Sequence, residues 1–418
     1  MPKPFPIGPF PNGMDNRSDE TSLYKGTARK LRNLDVDNRG HLERRRSYQQ
    51  LISAKEMHSL YSNEANQLFG CVGNILGIFD LSALSFAPLV DMPSKFRTAF
   101  TELNNVTYAF NPDFSCRMPN GKTTVFTVGV PLIDTTPAMF APLPTGGLRA
   151  GKYTVALSVI DAAGEESGMS PEYTLDIEEG GGISVMGLPL ITGNSLRLYC
   201  TTRDGEELYQ VREVPMTEVS FTVGASHVSR PGRQPETAHK EPLPFGHFVE
   251  SMGSRLLVAA DNVLHFSSTF RPHLSDRRHD FITLENTIHL LKVTEGGVYL
   301  GDISGVYYLA GWDPAEWNLK KVSNQAPVYG SGLLVDHEDF SEELDQGDSN
   351  VLWLSRSGVQ VGSPDGKVTS MHPHQLDLPK YQIAAAAFTQ YNGMKQAIFP
   401  VNSNSWLGTG TAVESVIN

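Results

Sequence analysis

The chain is poor in residues that several function classes require. Its 418 residues include only three cysteines, Cys71, Cys116 and Cys200, which lie far apart and are odd in number. No disulfide framework or CxxC metal site follows from them, and a reducing compartment is the simpler expectation. Basic residues are in deficit: 34 Lys and Arg against 46 Asp and Glu give a formal net charge of −12. A protein whose main task is gripping phosphate backbones needs many Lys and Arg contacts, so the balance argues against that class while leaving room for a local basic patch. Long apolar runs are missing too. The opening MPKPFPIGPFPNG lacks the basic and apolar parts of a signal peptide, and the most apolar later stretch, VGNILGIFDLSALSFAPLV, is interrupted by Asp80. We expect neither a signal peptide nor a membrane span. Helix signals are few; only SAKEMHSL from Ser53 and SKFRTAFTEL from Ser94 read as short helices.

What is present points to strands. The 38 Gly and 27 Pro are spread along the chain without a low-complexity block, as in an ordered protein of many short strands. A hairpin of about a dozen residues recurs, with a short apolar strand, a tight polar or glycine turn and a second short strand. It appears as QLFGCVGNILGIF from Gln67, VTYAFNPDFSCR from Val106, RLLVAADNVLHF from Arg255, VYLGDISGVYYL from Val298, VLWLSRSGVQVG from Val351 and AAFTQYNGMKQAIF from Ala386. Outside one long gap the spacing is near the length of a four-stranded propeller blade. A propeller also suits strands such as VLWLS, which are apolar on both sides, because each blade buries both faces against its neighbours; a β-sandwich array is the other architecture that fits.

The long gap has a different character. GKYTVALSVIDAAGEESGMSPEYTLDI alternates, placing Tyr153, Val155, Leu157 and Val159 on one face and Thr154, Ala156 and Ser158 on the other. After Gly180, Gly181 and Gly182 comes LRLYCTTRDGEELYQV, two strands around a turn at Asp204 and Gly205. Residues 147–224 thus read as an inserted β-sandwich of immunoglobulin or fibronectin type III kind. SRPGRQPETAHKEPLPFG is a polar return linker, and WLGTGTAVESVIN reads as a terminal arm without a partner strand. The expected organisation is an N-terminal arm and first blades over 1–146, the insert over 147–224, the remaining blades over 225–405 and a tail over 406–418.

No stretch carries recognisable chemistry. DVDNRG, with Asp35, Asp37, Asn38 and Gly40, fails as a calcium loop because Arg39 and Arg46 stand where oxygen ligands are needed. A turn in which Asp37 and Asn38 bond the local backbone is the preferred reading. In ERRRSY, strand geometry puts Leu42, Arg44, Arg46 and Tyr48 on one face and Glu43 and Arg45 on the other, so paired structural arginines are favoured over a DNA contact. SPDGKVTS resembles the Asp box of sialidase-like propellers but has Gly366 directly after Asp365 and no tryptophan, and reads as a β-turn between strands. His372 and His374 flank a proline with no partner at ligand spacing, and the acidic segment VDHEDFSEELDQGD reads as a solvated loop. GxSxG, HExxH and Walker patterns are absent, and the Gly180–182 run precedes a strand, not a helix. We assign no catalytic, cofactor-binding or metal residue.

The stretches NGMDNRSDETSL, LRNLDVDNRGHLERRRSY, MHSLYSNEANQLFGCVGNIL, GKYTVALSVIDAAGEESG, LRLYCTTRDGEELYQV and GSRLLVAADNVLHFSS resemble virion structural proteins of tailed bacteriophages. The chain is similar in particular to hub, nozzle and packaged-DNA stabilisation proteins of phage tails. The resemblance implies an all-β fold, a β-propeller interrupted by an immunoglobulin-like sandwich, and a non-enzymatic tail component without cofactors. It implies as partners other copies of the chain in a ring, neighbouring tube, adaptor, fibre or spike proteins, and DNA in transient passage, for which an acidic channel surface would suit. The location implied is the virion tail, with the host cytoplasm during assembly. The alternative is a carbohydrate-recognising propeller at the tail tip, which would need Trp312, Trp317, Trp353 and Trp406 to cluster with Asp and Arg at the axis.

Overall fold

The computed structural model describes residues 8–37, 39–45, 49–230, 232–336, 349–371, 376–378, 382–391, 394–402 and 413–417. Its frame is six small antiparallel sheets. Sheet I comprises Met57–Ser62, Leu68–Val72, Ile75–Asp80 and Ser85–Asp91; sheet II comprises Ala99–Leu103, Val106–Asn111, Phe114–Pro119 and Phe126–Thr127. Sheet III is built from Phe248–Met252, Arg255–Ala260, Val263–Phe266 and Phe281–Thr283, and sheet IV from Leu290–Thr294, Gly297–Asp302, Gly305–Ala310 and Leu319–Ser323. Sheet V contains Leu333–Asp336, Ser349–Ser355, Gly358–Gly362 and Val368–Ser370. In sheet VI, Ile383–Ala384 and Ala387–Tyr391 pair in succession with Met394–Asn402, which also pairs with Val413–Ile417.

Each hairpin expected from sequence lies inside one of these sheets, and in sheets I to V it is the central pair. The central strands are mostly apolar because alternate residues enter different cores. Leu257 and Ala259 face sheet IV, whereas Leu256 and Val258 face sheet II. Val351 and Trp353 pack toward sheet IV, and Leu352 and Leu354 toward sheet VI. Five such cores join consecutive sheets, beginning with Phe69, Cys71 and Leu76 of sheet I against Ala109, Cys116 and Met118 of sheet II. The result is an all-β, propeller-like stack, in which pleat alternation turns one strand into a spacer between two neighbours.

The two ends of the stack meet at Arg97, which follows sheet I. Its Nη1 donates to the Ala384 carbonyl of sheet VI at 2.8 Å and its Nη2 to the Gly330 carbonyl at 3.4 Å. Burial lowers the Arg97 pKa. Beside it, Tyr329 pairs through the backbone with Ile383 and stacks among His247, Phe248 and His289 from the starts of sheets III and IV. A side chain at Gly330 would meet Arg97 Nη1 at 2.1 Å, and the residue has φ +74°, so glycine is required twice over.

Between sheets II and III the chain leaves the stack and forms a two-sheet unit. One sheet orders Phe140–Leu148, Gly181–Met186 and Ser220–Val223; the other orders Tyr173–Ile177, Gly151–Ile160, Ser195–Thr201 and Leu208–Pro215. Tyr153, Val155, Leu157 and Val159, the face read from alternation, enter the core shared by the two sheets. The first strand begins at Phe140, ahead of the expected boundary at residue 147, because APLPTGG carries proline and glycine and does not read as a strand.

Several expectations are corrected. SAKEMHSL and SKFRTAFTEL contribute strands Met57–Ser62 and Ala99–Leu103 instead of helices. Glu56 and Ser59 have φ near +57° and +58°, which no helix tolerates, and Thr101 and Leu103 alternate with Phe100, which stacks on Tyr61. Val413–Ile417 has a partner strand and is not a free arm. Leu34–Val36 and Leu42–Arg44 form their own two-stranded sheet, and the first blade-like sheet starts only at Met57. The arm before it reaches the far end of the stack, where Asn16 and the Asp377 backbone exchange hydrogen bonds of 3.0 and 2.8 Å.

Candidate functional site: the junction of the two-sheet unit with the stack

Charged side chains concentrate where the two-sheet unit meets sheets II and III. The turn after strand Gly151–Ile160 is Asp161-Ala162-Ala163-Gly164. Asp161 Oδ1 accepts the backbone N–H of Ala163 and Glu165 at 2.9 and 2.8 Å, and Gly164 supplies φ +84°. This geometry fixes Glu165 and Glu166 as neighbours that point to opposite sides.

Glu165 points to the stack. Arg117, from strand Phe114–Pro119 of sheet II, contacts Glu165 Oε1 at 2.9 Å and Asp161 Oδ2 at 3.1 Å. The Arg117 guanidinium also donates to the Thr127 carbonyl at 3.3 Å and lies 5.2 Å from the Phe126 ring centre. Burial, helped by the Asp161 charge and opposed by Arg117, pushes the Glu165 carboxyl up to about 7. His273, just before sheet-edge residues Leu274 and Ser275, faces Glu165 Oε2 through Nδ1 at 3.5 Å. Burial pushes its imidazole down to about 4, despite a contact of Nε2 with the Glu166 carbonyl at 3.2 Å.

Glu166 points into the unit, where it is 5% exposed. Its Oε1 accepts from Ser158 Oγ at 2.7 Å and Tyr199 OH at 2.6 Å, and its Oε2 pairs with Arg197 at 2.7 Å. Arg197 is shared with Glu213 at 2.8 Å. Burial and the hydrogen bond to Glu166 raise the Tyr199 pKa. The arrangement is a clamp: Glu165 and Asp161 bind the unit to sheet II, and Glu166 anchors the same turn within the unit.

None of these junction residues was singled out from sequence. A signal existed in Arg117, the one charge on the two strands of a hairpin otherwise buried on both faces, which demands a partner. The residues that were considered fall elsewhere. Asp37 Oδ1 accepts from Arg39 N at 2.8 Å and His41 N at 2.7 Å, and Gly40 has φ +80°, as the turn reading requires; Asn38 and Arg46 lie outside the described residues. Arg45, rather than Arg44, makes the ion pair of that hairpin, with Asp35 at 2.9 Å. Asp365 and Gly366 form the turn between Gly358–Gly362 and Val368–Ser370, closed by Gly366 N to Ser363 O at 3.0 Å. Trp353 is buried between sheets IV and V, Trp317 packs on Phe266 between III and IV, and Trp312 is 50% exposed, so these three do not converge; Trp406, His372, His374 and acidic residues 337–348 lie outside the described residues. The cysteines are all buried and unpaired, and burial pushes Cys71 up to about 11 and Cys200 up to about 12. Among the described residues no helix is long and apolar enough to cross a membrane.

No protein-family profile and no curated protein matches the chain. Solved structures similar to it include BBS1N in complex with ARL6DN, at 14% identity over 84% of this chain and 91% of that one with a TM-score of 0.35. The AfRom2 CNH domain is similar at 10% identity over 78% and 84%, with a TM-score of 0.25. The extracellular domain of a hybrid two-component system from B. thetaiotaomicron is similar at 10% identity over 83% and 39%, with a TM-score of 0.29. At these values no function transfers to the chain.

Proposed function

We propose that the chain is a non-enzymatic structural component of a bacteriophage tail: a hub, nozzle or adaptor ring of several copies that serves tail assembly, channel closure or DNA passage and attaches neighbouring tail proteins. In this reading the six sheets are the blades of a β-propeller, and residues 140–223 are an immunoglobulin- or fibronectin-like domain. The observation that carries it is the junction. Arg117, Asp161 and Glu165 fix the two-sheet unit to the stack through buried charge, which suits an arm that transmits load to a neighbour and does not hinge freely. The stretches that resemble tail proteins, such as GKYTVALSVIDAAGEESG, include this turn. The net charge of −12 suits a wall past which DNA slides without sticking. Cryo-EM of purified virions tests the reading. The expected density is a ring of six-sheeted bodies with lateral lobes in the tail; a tail fully accounted for by other chains overturns it.

A further inference from the structure

The junction contains two buried polar atoms without a hydrogen-bond partner, Glu165 Oε2 and His273 Nδ1, and they face each other across 3.5 Å. The other ring nitrogen of His273 fixes their roles. Nε2 lies 3.2 Å from the Glu166 carbonyl, and a carbonyl oxygen only accepts, so Nε2 carries a proton and a neutral ring leaves Nδ1 as a bare acceptor. An ionised Glu165 would then set one acceptor against another in a buried place. A single proton held by Glu165 and donated to Nδ1 resolves the conflict, since burial keeps the imidazole neutral.

We propose that Glu165 of the two-sheet unit and His273 of the stack share one proton that fastens the unit in place, and that losing it in alkaline solution loosens the junction.

The surrounding charges leave Glu165 as the group out of balance. Arg117 from sheet II is one cation for two carboxylates, Glu165 at 2.9 Å and Asp161 at 3.1 Å, while Arg271 is matched by Glu236 and Glu166 by Arg197, with Arg233 at 3.9 Å. Arg197 is further shared with Glu213. Tyr108 of sheet II also feels Glu165, and its own burial raises its pKa, so it adds no charge. Lys240 is set among Arg271, Asp280, Asp276 and Glu236, and Asp276 is paired with Arg278. With the proton present Arg117 faces one carboxylate, and without it Arg117 faces two.

Hydrogen–deuterium exchange of the full chain, corrected for the intrinsic pH dependence of exchange, tests the proposal. Protection in segments 161–168 and 271–275 is expected to fall about tenfold or more between pH 6 and 8.5, while strand Gly297–Asp302 stays unchanged. In Glu165→Gln the side-chain amide donates to Nδ1 at every pH, so the fall should vanish. Constant protection in the unaltered protein, or the same fall in the variant, overturns the proposal. Nitrogen NMR of histidine-labelled protein, with His273 identified by its loss in His273→Gln, provides a readout that needs no altered junction. No titration of His273 is expected near pH 6.5, and an ordinary midpoint there overturns the proposal even if Glu165→Gln does not fold.

Discussion

Arg117 shows how a single buried charge commits a chain to a tertiary arrangement. It is 7% exposed and the one charged residue of its strand, and both of its carboxylate partners come from the turn at 161–165. Removing the guanidinium would leave Asp161 and Glu165, whose side chains are 19% and 18% exposed, without the cation they share. Arg117→Met is therefore expected to lower stability by about 3–5 kcal/mol in chemical denaturation, with Arg117→Met/Asp161→Asn recovering part of the loss. The pH dependence follows from the same residues. The folded pKa of Glu165, about 7, is raised above its ordinary 4.5, so its contribution is complete below pH 4.5 and lost as pH rises through 7. His273, at about 4, is depressed from 6.5, so its contribution is complete above pH 6.5 and lost as pH falls through 4. Between 4.5 and 6.5 the two slopes oppose each other, which predicts a plateau of melting temperature there and declines on either side. Glu165→Gln should remove the alkaline decline and leave the acid one; a profile unchanged by that substitution would count against the assignment.

At the scale of elements, the central hairpins of sheets II to V were readable because both of their faces are buried, which leaves a run of mostly apolar residues around a polar turn. The outer strands Phe126–Thr127 and Phe281–Thr283 were not readable, since they are short and only half covered. SKFRTAFTEL misled because its apolar spacing fits a helix turn, and tertiary pairing with Val106–Asn111 outweighs that local preference. The junction was hidden for another reason: its partners lie 44 residues apart for Arg117 and Asp161 and 107 apart for Glu166 and His273. Stacking between elements can be tested at Trp353, which is fully buried against Tyr299 with ring centres 5.8 Å apart and an indole N–H lacking a partner. Trp353→Ala is expected to cost about 3–5 kcal/mol. Trp353→Phe should cost clearly less, because it keeps an aromatic ring against Tyr299 and leaves a smaller cavity, and equal losses in the two variants would contradict the packing described. Gly330→Ala should loosen the contact of Arg97 with Ala384, seen as faster amide exchange in Ile383–Ala384 and a lower melting temperature.

The whole molecule combines a stack of six sheets whose ends meet at Arg97 with a side unit locked by buried charge. On the proposed function, the purified chain is expected to assemble into rings visible by electron microscopy, and rings should form less readily above pH 8 if the unit mediates contacts. The central claim, that this is a structural part of a phage tail, is tested most directly by a quantitative mass-spectrometric inventory of purified virions. The account predicts recovery of the chain at a fixed number of copies per particle, retained with isolated tails. Presence in infected cells together with absence from purified particles would contradict it.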